Sequence, residues 1–473
     1  MANNDINQGK QLTRRSFLKA VGLGSAAVAV PTIVGCASKN DNSAEKEPPK
    51  GQMTYRTNKY TGDKVSILGY GMMRLPTKND HPGERQNGEG EIDQEMVNRE
   101  VDYAIEHGVN YFDTSPAYCK GKSEEATGIA LSRHKRSEYF IATKMSNFRD
   151  HSREASIEMF ENSLKNLQVD YIDYYLWHNI GGGDDPMQMF EDRFVNNGIL
   201  DFLNQKKKEG KIRNLGFSYH GDIKIFDHAL KLHDEGKVKF DFVQIEMNYL
   251  DWRYANEIAE WNTDAEYLYG ELLKRNLQAV IMEPLLGGRL SNLPDRLVAQ
   301  LKQRDPERSV ASWAFRYAGT YPEVLTALSG MTYMENLKDN LNTLCPLKPL
   351  TEEEMRFLDE TIASQIVDYE IIQCNDCKYC MPCPYGIDIP GIFVHYNKCL
   401  SAESMPTDVT DPDYAKHRRA WLVGYDRSVP KLRQADHCTG CGQCVTSCPQ
   451  RIPIPQELHR ISRYFERLKQ NEI

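Results

Sequence analysis

Between residues 53 and 345, short apolar runs alternate with amphipathic stretches. The runs are Ile67–Gly71, Asn110–Asp113, Tyr139–Ala142, Ile172–Trp177, Asn214–Phe217, Phe242–Ile245, Ala279–Met282 and Val324–Leu328. Between them lie stripes such as Val97, Val101 and Ala104 closing at Gly108, and Ile157, Phe160, Leu164 and Leu167. Spacing of three to four residues gathers each stripe on one helix face. Eight strands, each with a helix behind it, predict an α/β fold with a parallel sheet. The units recur about every 37 residues, which suits a closed (β/α)8 TIM barrel. An open doubly wound sheet shares the same alternation.

After residue 345 the pattern becomes helical. Thr351-x-x-Glu354 forms a capping box ahead of Met355, Leu358, Ile362 and Ile366. Leu458, Ile461, Phe465 and Leu468 follow the same period after Pro455. The chain is therefore divided into a barrel at 53–345 and a mainly helical second domain at 346–473.

A barrel places its chemistry at the C-terminal ends of its strands. Asp113 ends the second run, Lys144 and His178 follow the third and fourth, and Tyr118 lies five residues beyond Asp113. A phenol titrates near 10, and a neighbouring ammonium lowers that value by favouring the phenolate. Asp113 would keep Lys144 charged and aimed, Tyr118 would give a proton to a carbonyl oxygen, and His178 would orient that oxygen.

Twelve cysteines require an explanation, and eight of them fall in two short clusters. Cys438-x2-Cys441-x2-Cys444-x3-Cys448-Pro449 is the bacterial 4Fe-4S spacing. Cys374-x2-Cys377-x2-Cys380-x2-Cys383-Pro384 repeats it with one residue fewer. Two 4Fe-4S clusters are expected. In two-cluster ferredoxins the fourth ligand comes from the other motif, which groups Cys374, Cys377, Cys380 and Cys448, and separately Cys383, Cys438, Cys441 and Cys444. Zinc on paired C-x2-C is the alternative, but the Cys-Pro ends belong to the iron-sulfur pattern. The 54 residues between Cys383 and Cys438 exceed a compact hairpin ferredoxin and read as a helical one. Cys119, Cys345 and Cys399 read as packing residues, with Cys119 a candidate for redox sensitivity.

The N-terminus reads as an address. Thr13-Arg14-Arg15-Ser16-Phe17-Leu18-Lys19 precedes an apolar run from Ala20 to Val34 that is too short and broken to span a bilayer. It resembles a twin-arginine export signal, and Ile33-Val34-Gly35-Cys36 resembles a lipobox whose Cys36 would be lipidated. Residues 1–36 are thus a signal segment and 37–52 a polar tether. The expected location is periplasmic, or membrane-anchored through Cys36. The net charge is −9, and with no basic block in the body a nucleic-acid partner is not expected. Gly181-Gly182-Gly183-Asp184-Asp185 lacks the Lys-Ser or Lys-Thr of a phosphate loop and reads as a flexible barrel lip.

Gly108-Val109-Asn110-Tyr111-Phe112-Asp113-Thr114-Ser115-Pro116-Ala117-Tyr118 resembles the aldo/keto reductase signature, and Ile141–Lys144, Gly210–Ser218 and Glu283–Gly288 match its later segments in order. With the cysteine motifs and Met381–Pro390, the whole resembles the ferredoxin-fused branch of that family. The resemblance implies a TIM barrel, the tetrad Asp113, Tyr118, Lys144 and His178, and a small carbonyl or alcohol substrate. It also implies nicotinamide contacts at Ser218 and Gln244, and adenosine-phosphate contacts at Gly330, Glu335 and Asn340. The family's stacking tyrosine is Met282 here, the Asn after Ser218 is Tyr219, and the 2′-phosphate cation aligns near Tyr333. Losing that cation forfeits roughly 1.5–3 kcal/mol, so NADP, NAD and no nicotinamide all stay open.

Hydride moves as an electron pair and clusters pass single electrons. Direct coupling therefore needs a flavin, for which no fingerprint is visible, or a partner protein. The first reading is an exported oxidoreductase whose NAD(P)H is carried tightly bound, or whose electrons come from a membrane-associated donor. The second is a redox relay in which the barrel is a non-catalytic docking body.

Overall fold

Alternation along each strand decides what the barrel encloses. In the computed structural model, which describes residues 47–80, 90–258, 261–367 and 371–473, a hairpin of β1 (Tyr55–Thr57) and β2 (Lys64–Ser66) comes first. The barrel strands are β3 (Leu68–Gly71), β4 (Tyr111–Asp113), β5 (Phe140–Met145), β6 (Ile172–Ile180), β7 (Ile212–Tyr219), β8 (Phe242–Glu246), β9 (Gln278–Met282) and β10 (Val324–Ser329). All eight coincide with predicted runs, and parallel pairing of β10 with β3, Ala327 opposite Leu68, closes the sheet. Closure removes the open-sheet alternative.

Tyr111, Ala142, Tyr174, Leu176, Phe242 and Val280 form one buried cluster with Val65 of the hairpin. Because successive side chains alternate between the two faces, the residues two further along share this lining: Asp113, Lys144, His178, Gln244 and Met282. Gly216 belongs to the same layer. A Cβ there would lie 2.5 Å from the Phe242 carbonyl oxygen and 2.8 Å from its ring, so only glycine lets that ring fill the centre. The opposite face, with Phe112, Ile141, Tyr175, Trp177 and Ile281, packs against the helices.

The domain division differs from expectation at both ends. Leu358, Ile362, Ala363 and Ile366 join the barrel core, and Tyr317 donates to Asp359 at 2.7 Å. Residues 346–367 thus pack with the barrel, because the apolar face behind the Thr351 capping box has the helix Val310–Thr320 to cover it. At the other end, Glu47 of the expected tether accepts from Tyr103 and pairs with Lys338 at 3.3 Å. The expected signal segment and Cys36 lie outside the described residues.

Helices Ile389–Ser401, Tyr414–Ser428 and Ile454–Gln470 build a second core from Ile392, Phe393, Trp421, Tyr425, Ile461 and Phe465. The cysteine loops flank it. No helix among the described residues is long and apolar enough to cross a membrane.

Candidate active site and iron-sulfur centre

Strands β4, β5 and β6 carry three of the four expected catalytic residues to one rim of the barrel. Lys144 Nζ donates to Asp113 Oδ1 at 2.5 Å and to the Thr114 carbonyl at 2.9 Å. The same ammonium lies 4.7 Å from the centre of the Tyr118 ring. Tyr118 meets His178 edge to face, with ring centres 5.7 Å apart. The four residues are buried, so an unpaired Lys144 would leave an uncompensated interior charge.

Electrostatics departs from the sequence expectation at Tyr118. Burial lifts its phenol well above the ordinary value, Asp113 adds to the rise, and the neighbouring Tyr379 opposes it. The Lys144 ammonium, engaged by Asp113 and Thr114, does not offset the burial of the phenol. Burial also draws Lys144 downward and Asp113 upward against their mutual attraction. His178 is held well below its usual range by burial, with Lys144 and Arg193 adding to the shift. Its Nδ1 lies 2.6 Å from Ser146 Oγ and 3.2 Å from Ser115 Oγ.

Arg193 is a site residue that the sequence did not announce. Its guanidinium donates to the carbonyls of His178 at 2.6 Å and Asn179 at 3.1 Å, and to Asn147 Oδ1 at 3.2 Å. It therefore ties the end of β6 to the loop after β5.

A cavity of about 1800 Å³ opens above Tyr118, Ser146, Asn147 and Arg193. Its other wall belongs to the C-terminal region and includes Cys377, Tyr379, Cys448 and Arg451. Arg451 donates to the Gly183 carbonyl at 3.0 Å, fastening the barrel lip to that wall. Tyr379, placed between Cys377 and Cys380, adjoins Tyr118 and lines the same cavity. Its position inside the motif was the only available sign of it.

The eight motif cysteines carry no disulfide. Cys374, Cys377, Cys380 and Cys448 are electrostatic neighbours, and so are Cys383, Cys438, Cys441 and Cys444. Cys380 also senses Cys444, so the two groups adjoin. Two sets of four thiols, each closed by one cysteine from the other motif, fit a pair of cubane clusters. Among the described residues no three ligand-type side chains are arranged for a single metal ion. Burial raises the thiols of Cys345, to about 12, and Cys399, to about 11, and also that of Cys119. Cys345 and Cys399 are buried packing residues whose thiols stay protonated at neutral pH, whereas Cys119 lines the cavity.

The residues expected to hold a dinucleotide are separated. Ser218 and Gln244 are opposite each other on β7 and β8. Ser218 Oγ accepts from the Asn179 amide at 2.7 Å, and Gln244 Oε1 is buried without a partner. Gly330 and Asn340 line a second cavity of about 730 Å³. Glu335 is exposed in the first turn of the helix Met334–Leu344 and lines neither cavity.

A closed eight-stranded barrel with this buried rim and two thiol groups defines an oxidoreductase with an iron-sulfur module. Residues 67–363 match the aldo/keto reductase family, and residues 373–453 match a 4Fe-4S dicluster domain. The chain belongs to the aldo/keto reductase family. An uncharacterized oxidoreductase of Bacillus subtilis is 27% identical over 288 residues, covering 54% of this chain and 85% of that protein. The NADH-specific methylglyoxal reductase of Escherichia coli is 24% identical, covering 54% and 84%. The Arabidopsis thaliana L-galactose dehydrogenase is 34% identical over 163 residues, covering 33% of this chain and 46% of that one. Among solved structures, a Klebsiella pneumoniae aldo-keto reductase in complex with NADPH is 23% identical, with TM-score 0.49, covering 66% of this chain and 96% of that one.

Proposed function

We propose that the protein reduces a carbonyl compound, or reversibly oxidises the alcohol, in the cavity between the barrel rim and the dicluster domain. Tyr118 is the general acid. The observation that carries this reading is the approach of Tyr379 to Tyr118 in the wall of one cavity, which brings the loop of Cys377 and Cys380 beside the barrel's proton donor.

A phenol held above its ordinary value keeps its proton at neutral pH. An alkoxide is a stronger base than a phenolate, so Tyr118 can release the proton as charge builds on the substrate oxygen. Lys144 over the ring then stabilises the phenolate left behind, and Asp113 holds that cation in place. With Ser146 or Ser115 donating to Nδ1, neutral His178 presents Nε2–H to the substrate oxygen. Arg193 fixes the backbone that carries the imidazole.

Cys374, Cys377, Cys380 and Cys448 would hold one cluster, and Cys383, Cys438, Cys441 and Cys444 the other. When bound, the clusters supply electrons one at a time beside the cavity. Conversion of C=O to CH–OH consumes two electrons and two protons. Tyr118 gives the oxygen its proton, solvent supplies the second, and an external one-electron donor makes good the electrons. Export by the twin-arginine route and anchoring through lipidated Cys36 belong to the same proposal, with a membrane-associated donor as partner. The test is anaerobic incubation of the dithionite-reduced protein with small aldehydes and ketones, with product analysis. Alcohol formed by the parent and lost in Tyr118→Phe supports the reading, whereas equal alcohol in both removes it.

A further inference from the structure

We infer that this chain fills its own nicotinamide groove with the segment Gln373–Tyr379, so that its barrel takes no free dinucleotide. The inference rests on packing and holds whether or not Tyr118 is the acid.

A dinucleotide would have to join the adenosine end at Gly330 and Asn340 to the amide end at Ser218 and Gln244. The C-terminal segment lies between them. At Gly287 a Cβ would fall 2.2 Å from the Asn375 carbonyl oxygen and 2.6 Å from its Cα, so backbone is pressed on backbone and no side-chain rotation opens a path. Arg74 Nη2 donates to that carbonyl at 2.8 Å, and Arg289 Nη1 donates to Gln373 Oε1 at 2.6 Å. Arg74 and Asp376, 3.7 Å apart, border both cavities and divide one from the other. At the inner end, Tyr379 adjoins the phenol beside which a nicotinamide ring must lie to deliver hydride.

One residue of the old subsite favours a ligand. Gln244 Oε1 is buried without a partner, as an acceptor for a carboxamide would be. Yet neither Gln244 nor Ser218 lines a cavity. To admit a dinucleotide the segment would have to leave, taking Cys374 and Cys377 out of their thiol group. Dinucleotide binding and an intact first cluster are therefore mutually exclusive.

The test uses anaerobically purified protein with its iron content measured. NADPH and NADH are titrated by equilibrium dialysis and nicotinamide fluorescence. The expected result is no saturable binding up to about 1 mM, the upper end of ordinary substrate ranges. Saturable micromolar binding with iron retained overturns the inference. A second readout compares Gly287→Ala with Gly288→Ala. Both residues have positive φ, +66° and +95°, but only Gly287 abuts the segment. Gly287→Ala is expected to lower iron content or alter the electron paramagnetic resonance of the reduced clusters relative to Gly288→Ala. Identical iron and spectra in the two variants would contradict it.

Discussion

Tyr118 and Tyr379 are neighbours in the lining of one cavity, one from the barrel's rim and the other from the loop that carries Cys377 and Cys380. The pair assigns different consequences to two similar substitutions. Tyr118→Phe removes the proton donor and is expected to lower kcat by about 10²–10⁴-fold. Tyr379→Phe leaves that donor in place and is expected to cost less, while shifting the spectrum of the neighbouring cluster. Equal losses in both variants, with an unchanged spectrum in Tyr379→Phe, would show that the contact is only packing.

Asp113→Asn leaves Lys144 buried without its anion. The expected destabilisation is about 3–5 kcal/mol, read from denaturant midpoints at neutral pH. The double variant Asp113→Asn/Lys144→Met removes the orphaned charge and should recover part of this loss.

His395 lies in the core of the C-terminal region, where burial lowers its titration to about 4. Its ordinary value is near 6.5, so between these limits the unfolded chain binds the extra proton. Its contribution is complete above pH 6.5 and declines as pH falls towards 4, by up to about 3 kcal/mol. His395→Gln should flatten unfolding free energy against pH in that window, and an unchanged slope would refute the assignment.

The exchange of ligands between motifs is checked by pairs of substitutions. Cys448→Ala and Cys377→Ala alter the same thiol group, so the double variant should lose about as much iron as either alone, near half of about eight per chain. Cys448→Ala/Cys441→Ala alters both groups and should lose nearly all. The reverse pattern would assign Cys448 to its own motif.

The barrel was legible because each strand needs only four to six residues of apolar pattern, and strict alternation then carries Asp113, Lys144 and His178 to the same face. The cysteine groups were legible because short spacing is itself the chemistry. Other features depended on contacts distant in sequence. Residues 346–367 cover the barrel and not the cysteine region, because an amphipathic helix shows that it needs a cover, not which cover it finds. At Tyr118 the motif shows a phenol near Lys144 but not the burial that outweighs that proximity. Arg193 binds backbone carbonyls, which leave no mark on the sequence, and Glu335 matched a pattern while facing solvent.

The most direct measurement follows cluster oxidation with no nicotinamide present. Protein reduced anaerobically and freed of reductant is mixed with the carbonyl compound that the product assay identifies, while cluster absorbance and paramagnetic resonance are recorded. The proposal predicts reoxidation with one alcohol formed per two electrons, at least about 10²-fold slower in Tyr118→Phe. Reoxidation at the same rate in that variant, or alcohol formed only when NAD(P)H is added, would contradict it.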